Sequence, residues 1–205
     1  MLTLYYAPGG CSISPHIALR EAKLPFQLQR VDFMRGKKLD DGTDFVTVNP
    51  KGYIPALALE NGQLLTETAV MVQYIADLRP ESKLAPAPGT FERVRLQEWL
   101  NFIATELHKG LTPFYSPDAS EQYKTKMRER FELRLGVVGN AVEAQPYLMG
   151  EQFTVADGYA FYTLRAWQTF VKGELKGALV PYYARLLERP SIQAALEAEG
   201  FTKDA

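Results

Sequence analysis

The chain has a single cysteine, Cys11, which lies within the segment YYAPGGCSISPHIALRE at positions 5–21. The apolar, aromatic stretch LTLYYA before it predicts a strand, and the residues after it predict a helix that begins near Ser12 or Ser14. Cys11 is therefore expected at the carboxyl end of a strand, where α/β sheets bind ligands. Amide groups and the helix dipole favour a thiolate there and lower the pKa of the thiol below about 8.5. We expect a reactive sulfur, or a site that holds another molecule's sulfur; the alternative is a small buried apolar residue without chemistry.

The residues around Cys11 narrow this chemistry. Gly9 and Gly10 allow the backbone to turn tightly and leave room for another molecule to approach. A dithiol oxidoreductase needs a second cysteine where Ser14 stands, so disulfide exchange within the chain is excluded. A lone thiol still forms a mixed disulfide with a small thiol that is supplied from outside.

Polar residues also follow one face of a predicted helix in the second half of the chain. Asn101, Thr105 and His108 follow one another at spacings of four and three, which places them on the same side. Such a stripe is either a hydrogen-bonded network in the core or one wall of a site, and the residues alone leave both open. The other histidine, His16, lies one turn into the first predicted helix, where we expect a mainly structural role.

Two further segments are candidates for contact with a ligand. Ile54-Pro55 precedes a predicted strand, and Pro55 is either a plain strand-start residue or a cis proline that bends the chain sharply. Thr66-Glu67-Thr68 opens the next predicted helix, whose free amide groups and dipole suit a carboxylate. Thr66 is equally suited to be an ordinary helix cap, and the two interpretations are compatible.

The apolar pattern divides the chain into two parts of different character. Residues 1–79 predict the order βαβ, a loop or short helix, then ββα, with Asn61-Gly62 joining the last two strands as a hairpin. Residues 80–89 are rich in proline and predict a linker. Residues 90–205 predict helices only, and Thr154 with Asp157 three residues later is close to a capping box. The predicted fold class is a small α/β domain followed by an all-helical domain.

The composition of the 205 residues is that of a globular protein with a full core. Aliphatic and aromatic residues make up 46%, charged residues 23%, and the formal net charge is −1, which argues against nucleic-acid or membrane partners. The amino terminus lacks the pattern of a signal peptide, and no apolar stretch reaches the roughly 18 residues of a membrane span. One cysteine cannot form an internal disulfide, which fits a reducing compartment, so we expect a cytoplasmic protein.

Taken together, several segments closely resemble the bacterial beta-class glutathione S-transferases over about residues 2–201. The segments are YYAPGGCSISPHIALRE, NPKGYIPAL, LLTETAVMVQYIADL, EWLNFIATELHKG and FTVADGYAF, in this order and at these spacings. The resemblance implies a thioredoxin-like N-terminal domain, an all-α C-terminal domain and a homodimer with the active site near the subunit interface. It also implies glutathione as co-substrate and no metal; two separated histidines and one cysteine are not a zinc pattern.

The resemblance further implies roles for individual residues. Cys11 faces the glutathione sulfur and can hold it as a mixed disulfide, and His108 is a hydrogen-bond donor or proton carrier nearby, with a pKa suited to that work. The polar stripe faces the same sulfur. The implied glutathione-binding residues are Lys37, Ile54, Pro55, Glu67, Thr68, Asn101 and Thr105.

Within this set, the backbone of Ile54 pairs with the cysteinyl part of glutathione, so its side chain is expected to matter little. Glu67 suits the ammonium of the γ-glutamyl group and Thr68 its carboxylate. Lys37 meets another carboxylate of glutathione, with Arg35 and Lys38 as rival candidates. Thr68 departs from the family pattern, because close relatives have glycine there and wider relatives have serine. Tyr53 also departs, because it stands where near relatives have glutamine, and it is expected at the mouth of the site.

The expected reaction is conjugation of the glutathione thiolate to a small hydrophobic electrophile, with the rate gain coming from thiolate stabilisation and placement. One alternative is a thiol transferase or peroxidase that uses Cys11. Another is a protein that binds hydrophobic ligands without turnover. The electrophile site cannot be read from the sequence, because candidate aromatic residues at helical spacing are more often plain core; they are Phe114, Tyr115, Trp167 and Phe170.

Overall fold

The structure is a computed structural model that describes residues 1–202, and its first third contains a five-stranded sheet with the strand order β3-β2-β1-β4-β5. The central strand β1 pairs in parallel with β2 and antiparallel with β4, while β3 and β5 add antiparallel edges. β1 therefore delivers the Cys11 loop to the middle of one sheet end. The strands are β1 (Leu2–Tyr6), β2 (Phe26–Asp32), β3 (Lys38–Leu39), β4 (Ala56–Ala58) and β5 (Leu64–Thr66).

Three helices accompany this sheet: α1 (Ile13–Glu21), α2 (Phe45–Val48) and α3 (Thr68–Asp77). α1 packs against α3 and also against two helices from the second half of the chain. Seven consecutive residues of α1, from Ile13 to Leu19, are buried for this reason. The helix that follows Cys11 is thus enclosed on several sides.

The second half of the structure is helical. Thr90 caps the first of these helices by accepting a hydrogen bond from the Arg93 amide at 3.2 Å, and Ser120 caps the longest one through the Tyr123 amide at the same distance. The helices are α4 (Phe91–Phe102), α5 (Thr112–Tyr115), α6 (Glu121–Ala141), α7 (Val155–Thr169), α8 (Leu179–Leu187) and α9 (Pro190–Ala198). A π-helical turn (Ile103–His108) and a 3-10 turn (Lys109–Leu111) continue α4.

The predicted fold class is confirmed, as is the predicted order of the main elements. The hairpin turns at Asn61-Gly62, where Gly62 has a φ of +82° that favours glycine. At the start of α7, the Asp157 carboxylate accepts the Thr154 amide at 2.8 Å, as in a capping box. The two-residue strand β3 was not predicted, because two residues are too short to show a period.

One apolar core runs through both parts of the chain. Leu4 and Ile17 from the α/β part belong to the same buried cluster as Tyr159 and Trp167 of α7. Thirteen of the fifteen residues of α7 are buried, so this helix is the centre of the molecule. The α/β part and the helical part are therefore held in one packing arrangement, and the space at their junction has a defined shape.

Two further predictions concern the carboxyl end of the chain and the absence of a membrane span. The last residues of the predicted helical domain, 203–205, lie outside the described residues. Within residues 1–202, no helix combines the length and the apolar character needed to cross a bilayer.

Candidate active site

A cleft of about 510 Å³ lies where the α/β part meets the helical part. It is open enough for a small peptide-sized ligand, since ligand sites in proteins commonly measure about 300–1,000 Å³. Seven of the nine residues predicted for the site line this cleft: Cys11, Ile54, Pro55, Glu67, Thr68, Thr105 and His108. Lys37 and Asn101 do not line it.

The loop that carries Cys11 is closed by its own polar groups. The Ser12 hydroxyl lies 3.2 Å from both the amide and the carbonyl oxygen of Ala7, five residues earlier. Ser12 is fully buried, which leaves its hydroxyl no path to a substrate. α1 then begins at Ile13, directly after Cys11 and Ser12, as the sequence predicted.

The two glycines before Cys11 make room for the protein itself, which corrects the expectation that they make room for another molecule. A Cβ atom on Gly10 would lie 2.9 Å from Cδ1 of Ile54. A Cβ on Gly9, whose φ is +72°, would lie 3.1 Å from the ring of Phe201. The side chain of Ile54, expected to matter little, therefore packs directly on the Cys11 loop.

A buried polar network anchors this loop to the carboxyl end of the chain. The Gly9 amide donates to Oε2 of Glu199 at 3.0 Å, and Oε1 of Glu199 lies 3.0 Å from Nδ1 of His16. Nε of Arg20 donates to the other ring nitrogen of His16 at 2.9 Å. Both nitrogens of His16 are thus occupied within the protein, which agrees with the structural role predicted for it.

The Cys11 thiol is buried and protonated at neutral pH. Its sulfur donates to the Ile54 carbonyl oxygen at 3.4 Å. Burial raises the pKa of the Cys11 thiol to about 12, although hydrogen bonds from its own amide and from the Thr68 hydroxyl act in the lowering direction. The sequence-based expectation of a lowered pKa is therefore wrong, because desolvation outweighs the helix N-terminus.

The Ile54-Pro55 peptide bond is cis, which is one of the two alternatives that the sequence left open. Pro55 lines the cleft beside Ile54 and leads into β4. The Ile54 carbonyl that was predicted to pair with a ligand is used here by the Cys11 thiol. The backbone at Ile54 thus connects Cys11 directly to the cleft.

The N-terminus of α3 faces the same cleft. Glu67 precedes α3 with a φ of +70°, and among residues 1–202 no side chain caps the free amide groups of the first turn, so Thr66 is not the cap. Thr68 begins the helix and is buried. Free amides at a helix start are a natural binding place for an anionic group.

Lys51 is a site residue that the sequence reasoning missed. Its Nζ donates to Oε1 of Glu67 at 2.8 Å and to the Thr66 hydroxyl at 2.9 Å, and it lines the cleft. The predicted lysine, Lys37, instead lies 5.7 Å from the ring centre of Tyr53, which itself lines the cleft. Tyr53 lies at the mouth with 71% of its surface exposed, as expected for it.

The polar stripe is split by a change in helix winding. α4 ends at Phe102, and the π-helical turn that follows has a wider winding than the α-helix assumed for the sequence. Thr105 and His108 therefore line the cleft, while Asn101 is exposed outside it. The Thr105 hydroxyl donates to the Asn101 carbonyl oxygen at 3.0 Å.

His108 lies against two tyrosines of α7. Its Nδ1 is 2.7 Å from the Tyr159 hydroxyl, and its ring packs edge-on against Tyr162 with a centroid distance of 4.9 Å. Burial, with a smaller contribution from Lys109, lowers the pKa of His108 to about 4. The expectation of a pKa suited to proton transfer near neutrality is therefore wrong, and the ring is neutral there. Tyr159 lines the cleft and was missed, because an aromatic residue in a buried helix looks like plain core.

The four aromatic candidates for an apolar subsite separate into two groups. Trp167 is fully buried and stacks on Phe131, and Phe114 packs edge-on against it, so both belong to the core. Tyr115 and Phe170 form an exposed pair with centroids 4.2 Å apart. Neither ring lines the cleft; burial raises the pKa of Tyr115, and a hydrogen bond with Tyr162 acts in the lowering direction.

Within residues 1–202, no group of three or more metal-binding side chains is close enough to hold an ion. The cleft instead combines a thiol, a neutral imidazole, a helix N-terminus and the Lys51–Glu67 pair. These groups suit a small zwitterionic ligand that carries its own sulfur, because they supply partners for carboxylate, ammonium and thiolate groups.

Comparison with protein families agrees with this geometry. Residues 10–78 match the family model described as the glutathione S-transferase N-terminal domain, and residues 102–190 match the C-terminal domain of the same family. Glutathione S-transferase GstA of Escherichia coli O157:H7 is 44% identical over 201 residues, which cover 97% of this chain and 99% of that protein.

Solved structures give the same result. A sphingomonad glutathione S-transferase complexed with glutathione is 38% identical with a TM-score of 0.91, covering 97% of this chain and 98% of that one. The bacterial beta-class enzyme of Sphingomonas chungbukensis is 39% identical with a TM-score of 0.92, covering 98% of this chain and all of that one. The chain therefore belongs to the glutathione S-transferase family, with bacterial beta-class enzymes among its structural neighbours.

Proposed function

We propose that this transferase conjugates the thiolate of glutathione to small hydrophobic electrophiles within the cleft described above. The observation that carries the proposal is that Cys11, the N-terminus of α3 and His108 line one cleft. The thiolate attacks an electrophilic carbon, a carbon–sulfur bond forms, and the leaving group departs with its electron pair. Placement of the two reactants and hydrogen bonding to the sulfur supply the rate gain.

The γ-glutamyl group of glutathione is assigned to the start of α3. Its carboxylate suits the free amides and the hydroxyl of Thr68, and its ammonium suits the carboxylate of Glu67. Lys51 keeps Glu67 in place through their 2.8 Å contact. The sphingomonad relative with bound glutathione supports a glutathione site on this fold.

The sulfur of glutathione is assigned to the space between Cys11 and His108. A mixed disulfide forms when the Cys11 thiolate attacks oxidised glutathione and one glutathione thiolate leaves. Because the pKa of the Cys11 thiol is about 12, little thiolate exists at neutral pH, and this reaction is expected to accelerate as the pH rises. The same burial argues against disulfide or peroxide reduction as the main activity.

The hydrophobic electrophile is assigned to the Tyr115–Phe170 pair. The two rings are exposed and in tilted contact, with centroids 4.2 Å apart, and Tyr115 interacts with Tyr162, whose ring packs on His108, whereas Phe114 and Trp167 belong to the core. Exposed aromatic rings suit the planar, apolar body of an aromatic electrophile. Replacing Tyr115 with Ala is expected to raise KM for the electrophile more than KM for glutathione.

Other predictions from the resemblance stay proposals. Lys37 and Asn101 do not line the cleft, so they contact glutathione only if the bound ligand extends beyond it. A homodimer is supported by apolar side chains exposed on α3 and α4, which are Val70, Phe91 and Val94. We also retain the division into residues 1–79, 80–89 and 90–205, and a cytoplasmic location.

The test is a steady-state assay with glutathione and a nitro-activated aryl chloride, combined with intact-mass analysis after incubation with oxidised glutathione. Saturable conjugation is expected, and one reversible glutathione adduct is expected to form faster at high pH. The Cys11→Ala variant must lose the adduct. Tight binding of apolar dyes without measurable turnover would instead favour a ligand-binding protein, and turnover confined to disulfide substrates would favour a thiol transferase.

A further inference from the structure

His108 and His16 can be assigned opposite tautomers from their hydrogen-bond partners. Nε of Arg20 only donates hydrogen bonds, so Nε2 of His16 accepts and the proton of its ring is on Nδ1, which faces the Glu199 carboxylate. In a neutral histidine, the partner of one nitrogen decides which nitrogen holds the proton. The same reasoning applies to His108, whose Nδ1 contacts Tyr159.

The hydrogen bond between His108 and Tyr159 joins two neutral groups. Burial lowers the pKa of His108 to about 4 and raises the pKa of Tyr159 well above its ordinary value. The ionisable groups around the pair are Lys109, Tyr162, Cys11 and Glu67. Burial raises the pKa of both Tyr162 and Cys11. The negative charge of Glu67 adds to burial in raising the pKa of Tyr159, and this outweighs a hydrogen bond with the Thr68 hydroxyl, so Tyr159 stays a neutral phenol. The hydrogen bond therefore runs either from the phenol to Nδ1 or from Nδ1–H to the phenol oxygen.

Geometry and acidity both favour the phenol as donor. The O···N distance is 2.7 Å, which is typical of hydroxyl donors and shorter than the usual 2.9–3.0 Å of N–H donors. An imidazole nitrogen also accepts a proton more readily than a phenol oxygen does. With Nδ1 accepting, the ring proton is on Nε2, and no group within residues 1–202 forms a hydrogen bond with Nε2.

We propose that Tyr159 holds His108 in the tautomer protonated on Nε2, so that the imidazole donates a hydrogen bond to the sulfur of bound glutathione instead of removing its proton. This inference rests on the proposed function, which places that sulfur beside His108. Tyr159 acts as a positioning residue, because its effect on the sulfur passes through His108. The proton of the glutathione thiol leaves to solvent, and the neutral N–H stabilises the thiolate that remains.

Tyr162 provides a matched control for Tyr159. Both tyrosines are on α7, and both rings meet the His108 ring edge-on, at centroid distances of 5.8 Å for Tyr159 and 4.9 Å for Tyr162. Of these two tyrosines, only Tyr159 forms a hydrogen bond with a nitrogen of His108. Replacing either residue with Phe keeps its ring and removes its hydroxyl, so the two variants separate hydrogen bonding from packing.

The direct test is nitrogen NMR of the full chain labelled with ¹⁵N-histidine. The chain has only two histidines, so every imidazole signal belongs to His16 or His108, and the His108→Asn variant identifies the pair that is lost. We expect a proton on Nε2 of His108 and on Nδ1 of His16. Tyr159→Phe is expected to give His108 a mixture of tautomers, and Tyr162→Phe to change nothing. A proton on Nδ1 of His108 in the wild type, or no response to Tyr159→Phe, would overturn the proposal.

A second readout follows the thiol of bound glutathione through its ultraviolet thiolate absorbance as the pH is varied. Tyr159→Phe is expected to raise the pKa of this thiol by about one unit, a roughly tenfold loss of thiolate below that pKa, with KM for glutathione changed less than about twofold. Tyr162→Phe is expected to leave the pKa unchanged. If the tautomers are as proposed but His108→Asn leaves the thiol pKa unchanged, the sulfur is not beside His108. The proposed placement then fails, while the tautomer assignment stands.

Discussion

His16 and His108 differ in the hydrogen-bond partners of their ring nitrogens, and this difference separates a structural histidine from one that can act on a ligand. Both nitrogens of His16 are bonded within the protein, one to Glu199 and one to Arg20. His108 has one nitrogen bonded to Tyr159 and lines the cleft. A histidine with two internal partners stabilises the fold, whereas one with a single internal partner is oriented by it and keeps a nitrogen for a ligand.

The largest expected effect on stability is in the hydrogen-bond network of Glu199 and His16. The Glu199 carboxylate is buried and serves Gly9 and His16, so the Glu199→Gln change places an amide N–H₂ against one of these donors. We expect the free energy of unfolding in urea to fall by roughly 2–4 kcal/mol, because a buried donor is left without an acceptor. Glu197→Gln, an exposed neighbour, is the control and should have almost no effect. A loss below about 1 kcal/mol for Glu199→Gln would mean that this network does not stabilise the fold.

The second expected effect is a pH dependence of the free energy of unfolding that arises from His108. Unfolded His108 binds a proton below a pH of about 6.5, but folded His108 does so only below about 4. The unfolded state therefore binds more protons between these values, and stability contributed by the neutral ring is lost as the pH falls through this window, by about 3 kcal/mol in total. His108→Asn removes this contribution, so its stability should depend on pH less steeply between 7 and 5.

Urea unfolding of the wild type, His108→Asn and Tyr162→Phe at several pH values measures this dependence. Tyr162→Phe keeps His108 buried and should retain the wild-type slope. Equal slopes for wild type and His108→Asn would contradict the lowered pKa of His108.

A smaller effect on stability is expected in the Gly9-Gly10 loop, which Glu199 anchors and which leads into Cys11. A methyl group at Gly10 meets the Ile54 side chain and, at 3.1 Å, the Ala7 carbonyl oxygen. We expect Gly10→Ala to cost about 1–3 kcal/mol of unfolding free energy and to lower conjugation, because the loop that holds Cys11 must shift. Gly136→Ala, in open space within α6, is the control and should stabilise the protein by up to about 1 kcal/mol. A Gly10→Ala variant with wild-type stability would show that the loop adapts freely.

The smallest expected effect on stability is at the exposed end of the cleft. Lys51→Met removes a solvent-exposed ion pair with Glu67, so the free energy of unfolding should change by less than about 1 kcal/mol. KM for glutathione should rise roughly tenfold, because Glu67 loses the partner that holds it. Lys38→Met removes a similar exposed pair with Asp44 outside the cleft and should leave KM unchanged. An equal change in KM for both variants would indicate a general charge effect.

Much of the fold was predictable because its signals are local. The hairpin depends on Asn61-Gly62, and the start of α7 depends on Thr154 and Asp157 within four residues. The helix after Cys11 likewise follows from a short pattern. Interactions between neighbours in the chain depend on short residue patterns, so the sequence is sufficient to predict them.

Parts of the site were not predictable because they depend on partners far apart in the chain. Lys51 acts on Glu67 sixteen residues later, and Tyr159 meets His108 across fifty-one positions. The π-helical turn that separates Asn101 from Thr105 also escaped, because a spacing argument assumes α-helical winding. No single-sequence signal distinguishes Tyr159 from the other buried aromatic residues of α7.

By itself the sequence determined the fold class, the position of Cys11 between a strand and a helix, and the set of residues that resemble a glutathione site. Only the tertiary structure decided the chemical state of those residues. Burial among distant segments raises the pKa of the Cys11 thiol and lowers that of His108, both against expectation. The reason is that desolvation depends on everything packed around a group, whereas helix position and spacing depend on near neighbours alone.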